Sequence, residues 1–584
     1  MSCLPFRARR SHGVVDHALA EDVNVVNVGA LALLRPLLQQ LDIAAIIDRH
    51  LPSDAEYSHG TVLAILLAAR LHSPTALVNV ADWAREYGVE YLWKIPPDKL
   101  NDDRLARALD AFFEKRHAIL ADITYEVLRY TGLSLCSAHF DVTDLVLYGT
   151  YEDSVPRPQN PLDQLVDDLR QSAAHICRGY LTPYKMLQLG VTSVVDDLGP
   201  IPVACHLFDG NRNGHTGIKQ QYHLLRQFLQ LPEDFLLVSD RGTCSAEHLA
   251  RLLHHQHHAL CAGQWQDYGP LFDLHADRLV WNTASYLSRE QQRRRTTASS
   301  LPQEEYRLAV LAHQLFDPAS KQPFDCRVIF VHSSAAAKEC QQRREKNSAL
   351  IQAGLDQIAQ KLQRAHPTTT PQSVTRQILR LLGKRAAGKH FRWQLLPLTD
   401  AEVAALPPPK KGFRRQTHRL EYSFDEAAAQ AESRHDGISA LITTAPLTSS
   451  GDVLFTEYKR QTYVERGHHE LKTPLAVTPV FLKTPQRVEA LVSLLFVALQ
   501  AYMTIERRYR QSVAADARPQ EQRMTAEKIL RRFRVCSVLV HERAYGELIG
   551  AAPLSAEQRR ILQQLRLPTP AKLLTKIHDP PPTL

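Results

Sequence analysis

Cysteine is scarce, with nine residues in 584 and no C-x-x-C pair. That excludes a small disulfide scaffold and reads as reduced thiols. The longest mostly apolar run near the C-terminus, LVSLLFVALQAYM (491–503), falls short of the roughly 20 residues a membrane span needs, so no membrane partner is expected. No apolar segment backs the basic start MSCLPFRARRSHGVVDH. A secretory signal is therefore not read, and a cytoplasmic location is expected. Polarity is too low for disorder to dominate, at 44% apolar and 23% charged. No repeat of solenoid period is visible.

What is present is length enough for roughly three or four domains. The net charge is only +8. From Lys338 to Arg419, however, 17 Lys and Arg face 5 Asp and Glu, an excess larger than that of the whole chain. A concentrated basic stretch in a near-neutral protein points to a polyanion, most simply nucleic acid, or else to a solvated helical face.

Residues 1–132 read as a helical domain. HGTVLAILLAARLH and DDRLARALDAFFEKRHAILADITYEVLRY carry apolar residues at three-and-four spacing, and Asn101 or Asp102 can cap the second. The pattern then turns to strands: LCSAHFDVTDLVLYG (135–149), two strands within 185–211 joined by a turn at Asp197–Pro200, and DFLLVSD (234–240). A helix capped by Ser245 follows. Strand candidates in 266–434 are DRLVWNTASY, YRLAVLAHQLF, FDCRVIFVHS and HFRWQLLPL, with a basic helix near 338–365 and a linker at LPPPKKGFRRQTHR. DGISALITT (436–444) is a strand, 452–510 reads as helical, and 511–584 as a polar tail with short helices.

Three acidic residues stand out. Asp141 lies inside a strand, Asp240 ends one, and Glu465 sits on a helix in YKRQTYVERGHHELK. Carboxylates on buried strands are costly unless paired or bound to a cation. Several converging at strand ends make a hard-oxygen site for Mg²⁺ or Mn²⁺. A lone strand-end Asp is more often a turn residue, and a lone helix Glu is usually solvated, so the three count only together. Tyr458, Glu465 and Lys472 are spaced by seven, which on one helix forms a stripe, with Gln461, His468 and His469 on or beside it. The tract HLARLLHHQHHALC is rich in His but matches no closed zinc spacing. Cys244 and Ser245 have no base placed beside them.

These pieces together resemble a DDE transposase of bacterial insertion sequences, of the branch with the motif Y-x2-R-x3-E-x6-K. The resemblance runs through LNDDRLARALD, HFDVTDLVLYG, VSDRGTCSAEHL, DGISALITT and the segment 458–495, and so spans most of the chain. It implies Asp141, Asp240 and Glu465 as catalytic residues holding two Mg²⁺ (or Mn²⁺), with Thr143 following the first Asp and Arg241 and Gly242 the second. It implies phosphate contacts by Tyr458 and Lys472. The motif Arg falls on Gln461, with Arg460 one residue earlier, so Arg460 and Gln461 are both read as DNA-binding positions. The implied fold is mixed α/β. A ribonuclease-H-like catalytic domain, a five-stranded mixed sheet flanked by helices, covers 133–265 and 435–510. A β-rich basic insertion occupies 266–434, an N-terminal helical DNA-end-binding domain 1–132, and a helical tail 511–584. In the insertion Trp281 or Trp393 could stack on an unpaired base, against the more usual role of a core Trp for each. The implied activity is cutting of double-stranded DNA at terminal inverted repeats and joining of 3′-hydroxyl ends to target DNA. A homodimer is expected on the DNA, in a bacterial cytoplasm. A metal-dependent nuclease without strand transfer, and a decayed element protein that only binds DNA, remain open alternatives.

Overall fold

The computed structural model describes residues 23–149, 151, 173–179, 184–211, 214–241, 245–287, 304–363, 369–473, 475, 480, 482–514, 517–541 and 547–570. Gly242 and Cys244 lie outside them. The chain forms two compact units, residues 1–261 with 457–584, and residues 262–456. Several sheets and many helices make a mixed α/β protein.

The first unit is built on a sheet whose longer strands are β1 (Ser137–Leu147), β2 (Lys185–Asp196), β3 (Gly199–Asp209), β4 (Leu236–Ser239) and β5 (His258–Ala262), with the two-residue strand Cys177–Arg178 added on β2. Their order is β3-β2-β1-β4-β5. β3, β2 and β1 are antiparallel, while β1, β4 and β5 run parallel. The β2–β3 reversal falls at Asp197–Leu198, where Asp196 accepts from the Leu198 N–H at 2.9 Å, while Gly199 and Pro200 of the turn expected from sequence already belong to β3.

Among the described residues six helices precede the sheet, the longest being Asp102–Thr131. Asn101 caps it by accepting from the Arg104 N–H at 2.9 Å, and Gly132 ends it at φ +69°. Helix Pro485–Ser512 packs against that helix, against His59–His72 and against β3. By length and composition this helix could cross a membrane, but its apolar window is entirely buried in the unit. The run read from sequence was therefore only the middle of a longer core helix. It carries its charges in pairs. Glu489 and Arg116, each 1% exposed, meet at 2.7 Å, and Glu489 also accepts from the Ala174 N–H at 2.8 Å.

Two expectations about this unit are corrected. The N-terminal helices and the tail are not separate domains. Leu31, Leu66 and Phe112 share one core with Val497, Ile529, Val540 and Ile561. Strands also appear where helices alone were expected: Val23–Asn27 pairs antiparallel with Ser537–His541, which pairs in turn with Glu547–Ala551. Five-residue strands carry little periodicity, and their partner lies some five hundred positions away.

The second unit holds an antiparallel sheet in the order Ile438–Thr443, Pro323–Ser333, Tyr306–Phe316, Asn282–Thr283. Only two residues of DRLVWNTASY pair. A two-stranded ribbon, Phe391–Pro397 with His418–Phe424, packs on helices Ser334–Gln363 and Pro371–Gly383. The insertion is thus not β-rich: among its described residues helix outweighs strand, and the unit runs to 262–456 rather than 266–434. SAAAKECQQRREKNSALIQAG is made of strong helix formers, and Ile351, Leu355, Ile358 and Leu362 give the helix its single buried stripe. Trp393 packs beside the core of the ribbon. Trp281 lies 6.5 Å from Phe272 and 5.9 Å from the Arg307 guanidinium. Several of the basic residues are neutralised locally, as in Arg343–Glu339, Arg392–Asp425 and Arg419–Glu421. Lys410, Lys411, Arg414 and Arg415 have no ion pair among the described residues.

Candidate active site

Alternation along β1 puts Ser137, His139 and Asp141 on one face. The β1–β4 register ends at Phe140 opposite Ser239. Asp141 and Asp240 are therefore the next residues on two neighbouring parallel strands, at the carboxyl end of β4, where open sheets of this kind place ligands. The Val142 N–H donates to Asp141 Oδ1 at 2.8 Å, and the Arg241 N–H to Asp240 Oδ1 at 2.6 Å.

Glu465 comes from helix Thr462–Lys472, which packs on β1, β2 and β3 and carries the residue in its first turn. The three acids feel one another. Burial pushes the Asp141 carboxyl up to about 6, and the charges of Asp240 and Glu465 add to that rise against the Val142 hydrogen bond. Asp240 thus ends the strand beside Asp141, and Glu465 is near enough for its charge to act on Asp141. Among the described residues, however, no group of three or more His, Cys, Asp or Glu is gathered tightly enough to hold one ion. Two carboxylates beside each other suit Mg²⁺, which keeps waters and takes one or two carboxylates plus substrate phosphate rather than a closed cage. Asp141 and Asp240 fit that donor set, with Glu465 approaching from the helix.

The expected continuous stripe over 458–472 is interrupted. Tyr458 belongs to the preceding helix, Gly451–Lys459, and the chain tightens through Arg460 and Gln461 into i→i−3 hydrogen bonds. Thr462 contributes by donating its hydroxyl to the Lys459 carbonyl at 3.2 Å. Tyr458 is turned toward the carboxylates, its hydroxyl 3.5 Å from Asp240 Oδ1, and burial and that charge push the phenol well up. Lys472 is exposed at the far end of its helix.

Arg460 and Gln461 are occupied within the fold. Arg460 donates to Glu457 at 2.8 Å and to Asp197 at 3.1 Å. Gln461 Nε2 donates to the Phe140 carbonyl at 2.9 Å, and its Oε1 faces His139 Nδ1 at 2.9 Å. The other nitrogen of this fully buried imidazole lies 3.3 Å from Glu457, which also accepts from the Ser137 hydroxyl at 2.6 Å. Burial alone would raise Glu457, but His139, Ser137 and Arg460 outweigh it and hold the carboxyl down at about 2. This Ser137–His139–Glu457–Gln461 network underlies the site and was missed from sequence. Its one signal was period two within CSAHFD, since a Ser and a His share the face of Asp141.

His468 was placed beside the expected stripe, and it reaches the site itself. Its Nδ1 lies 3.4 Å from Asp141 Oδ2, and burial lowers the imidazole to about 4. Nε2 is buried without a hydrogen-bond partner. The tract around 255–258 holds no metal group among the described residues. Its His257 Nδ1 lies 2.7 Å from the Tyr222 hydroxyl, and His255 Nε2 lies 2.6 Å from Arg226 Nη1.

Residues 23–124 match a family described as a domain of unknown function (DUF4277). No curated protein matches the chain. Among solved structures the chain is similar to a piggyBac transposase in a synaptic complex with hairpin DNA. The likeness has 9% identity and a TM-score of 0.30, over 93% of this chain and 86% of that one.

Proposed function

We propose that the protein is a DNA-cutting and DNA-joining enzyme of the insertion-sequence transposase type, with Asp141, Asp240 and Glu465 as its catalytic carboxylates. The observation that carries this is the placement of Asp141 and Asp240 at successive positions of two neighbouring parallel strands, with Glu465 on the helix packed across them. Burial and two neighbouring acids crowd negative charge into one place, and a divalent cation is the simplest relief. The order of three antiparallel strands followed by two parallel ones, with acids at neighbouring strands and on a helix laid across them, supports a ribonuclease-H-like core.

Two Mg²⁺ or Mn²⁺ ions, when bound, would activate a water or hydroxyl nucleophile and stabilise the leaving oxygen. The protein's own residues do the rest. Asp141 and Asp240 present hard oxygens from adjacent strands, and Glu465 faces them from the helix. Tyr458 steadies Asp240, and His468 abuts Asp141. Lys472 is free to meet a phosphate of the DNA end. Terminal inverted repeats, target DNA and a homodimer pairing two ends belong to the same reading.

The test is cleavage and joining of DNA carrying the gene's own flanks, in Mg²⁺. Wild-type protein is expected to cut at the ends and join them to a target plasmid. D141N, D240N and E465Q are expected to retain end binding and lose both steps. Cleavage that persists in all three variants overturns the assignment. Cutting without any joining would leave a nuclease.

A further inference from the structure

Within the first unit, helix Asp102–Thr131, the last turn of Pro485–Ser512 and the chain after helix Ala556–Gln564 border an open cleft of about 570 Å³. Arg129, Arg508 and Arg566 all line it, together with Gln40, Tyr130 and Gln511. Arginines beside a helix C-terminus ordinarily bond its last carbonyls. Here several of those are already taken. The Gly132 and Leu133 N–H groups donate to the Leu128 carbonyl at 2.9 and 3.2 Å. The Thr131 hydroxyl donates to Val127 at 2.7 Å, and Gln511 Nε2 donates to the Thr131 carbonyl at 3.1 Å.

The guanidiniums are also poorly neutralised. Arg129 has Glu126 at 2.5 Å and feels Asp42. Arg508 and Arg566 have no ion pair among the described residues. Arg508 lies over the Tyr130 ring at 4.7 Å and reaches Gln511 Oε1 at only 3.3 Å, and its buried Nε has no hydrogen-bond partner. Arg566 is held at φ +55°, a region residues with a Cβ rarely occupy. The preceding Leu565 carbonyl is fixed there by the Tyr130 hydroxyl at 2.8 Å. The fold thus sets two unpaired guanidiniums around one phenol, in an open, polar cleft.

We propose that this cleft is a phosphate-binding site that takes a backbone phosphate of duplex DNA, through Arg508 and Arg566 and separately from the carboxylate site. Guanidinium forks match phosphate oxygens, and an open rim admits a polymer where an enclosed pocket would select a small ligand.

The experiment is anisotropy of full-length protein with a labelled 30-base-pair duplex of unrelated sequence, in EDTA, from 50 to 200 mM KCl. EDTA removes the proposed cleavage chemistry from the readout, so failure of one reading is distinguishable from failure of the other. With about 0.9 of log–log salt slope per phosphate neutralised, the R508Q/R566Q double variant is expected to flatten the slope by about 0.9. Over that range wild type should then lose roughly three- to fourfold more affinity than the variant. R566Q alone changes one exposed side chain, guards against misfolding of the double variant, and is expected to show about half the change in slope. Unchanged slopes in both variants overturn the proposal. So does protection of wild type, but not of R566Q, against thermal unfolding by inorganic phosphate with DNA binding unaltered, which would make this a free-anion site.

Discussion

Two carboxylates, Asp141 and Glu457, are tuned in opposite directions. Asp141 is raised to about 6, so its ionised form opposes folding. That opposition is absent below pH 4 and complete once the pH has risen through 6. D141N is therefore expected to stabilise the metal-free protein at pH 7.5 by up to about 3 kcal/mol, less what water access screens, with the gain vanishing toward pH 4. Glu457 is held at about 2, below its unfolded value near 4.5, so its contribution is present above pH 4.5 and lost as the pH falls toward 2. E457Q is expected to destabilise at pH 7.5 by a similar amount and to approach wild type near pH 2.5. Denaturant melts in EDTA at several pH values measure both. Shifts of the same sign at pH 7.5 would remove the electrostatic account. The candidate acids were legible because each stands in an unusual local context. Their support was not: a Glu at 457 and a Gln at 461 look like ordinary helix residues until a buried imidazole is found between them.

At the scale of elements, the turn at 460–461 joins two helices to β1. Gln461 supplies an acceptor to His139 and a donor to the Phe140 carbonyl. An arginine there has donors only. Q461R, which puts an arginine at the position of the expected motif Arg, is expected to lower stability by about 1–3 kcal/mol. It should not strengthen binding of end DNA, measured by melting and anisotropy side by side. Tighter DNA binding at unchanged stability would return Gln461 to the DNA face. The strands of the central sheet were legible, because apolar and β-branched runs broken by Gly and Pro leave few alternatives. The helix break was not, because seven-residue spacing is blind to a turn that tightens by one hydrogen bond. The basic stretch misled in another way. Its charge does not distinguish helix from strand, and local ion pairs such as Arg392–Asp425 and Arg419–Glu421 neutralise part of it.

At the scale of the molecule, the domain divisions drawn along the chain dissolve in the first unit, since one core takes side chains from both ends. A chain stopped after Val513 would lose Ile529, Phe533, Val538, Val540, Ile561 and Leu562 from that core and leave Val23–Asn27 unpaired. Such a truncation is expected to abolish cooperative unfolding of the N-terminal helices, followed by circular dichroism. A truncated chain that melts like the full protein would mean the N-terminal helices fold alone, as the sequence first indicated. Long-range pairing of this kind leaves almost no local trace, which is why composition and periodicity divided the chain where space does not.

The pairing of Val23–Asn27 with Ser537–His541 also sets an order of events during synthesis. At about 5–20 residues per second, the ribosome takes roughly half a minute to nearly two minutes between these strands. Asp141, Asp240 and Glu465 all emerge inside that interval. The nascent chain thus carries all three of these acids before the strand that pairs with Val23–Asn27 has been made.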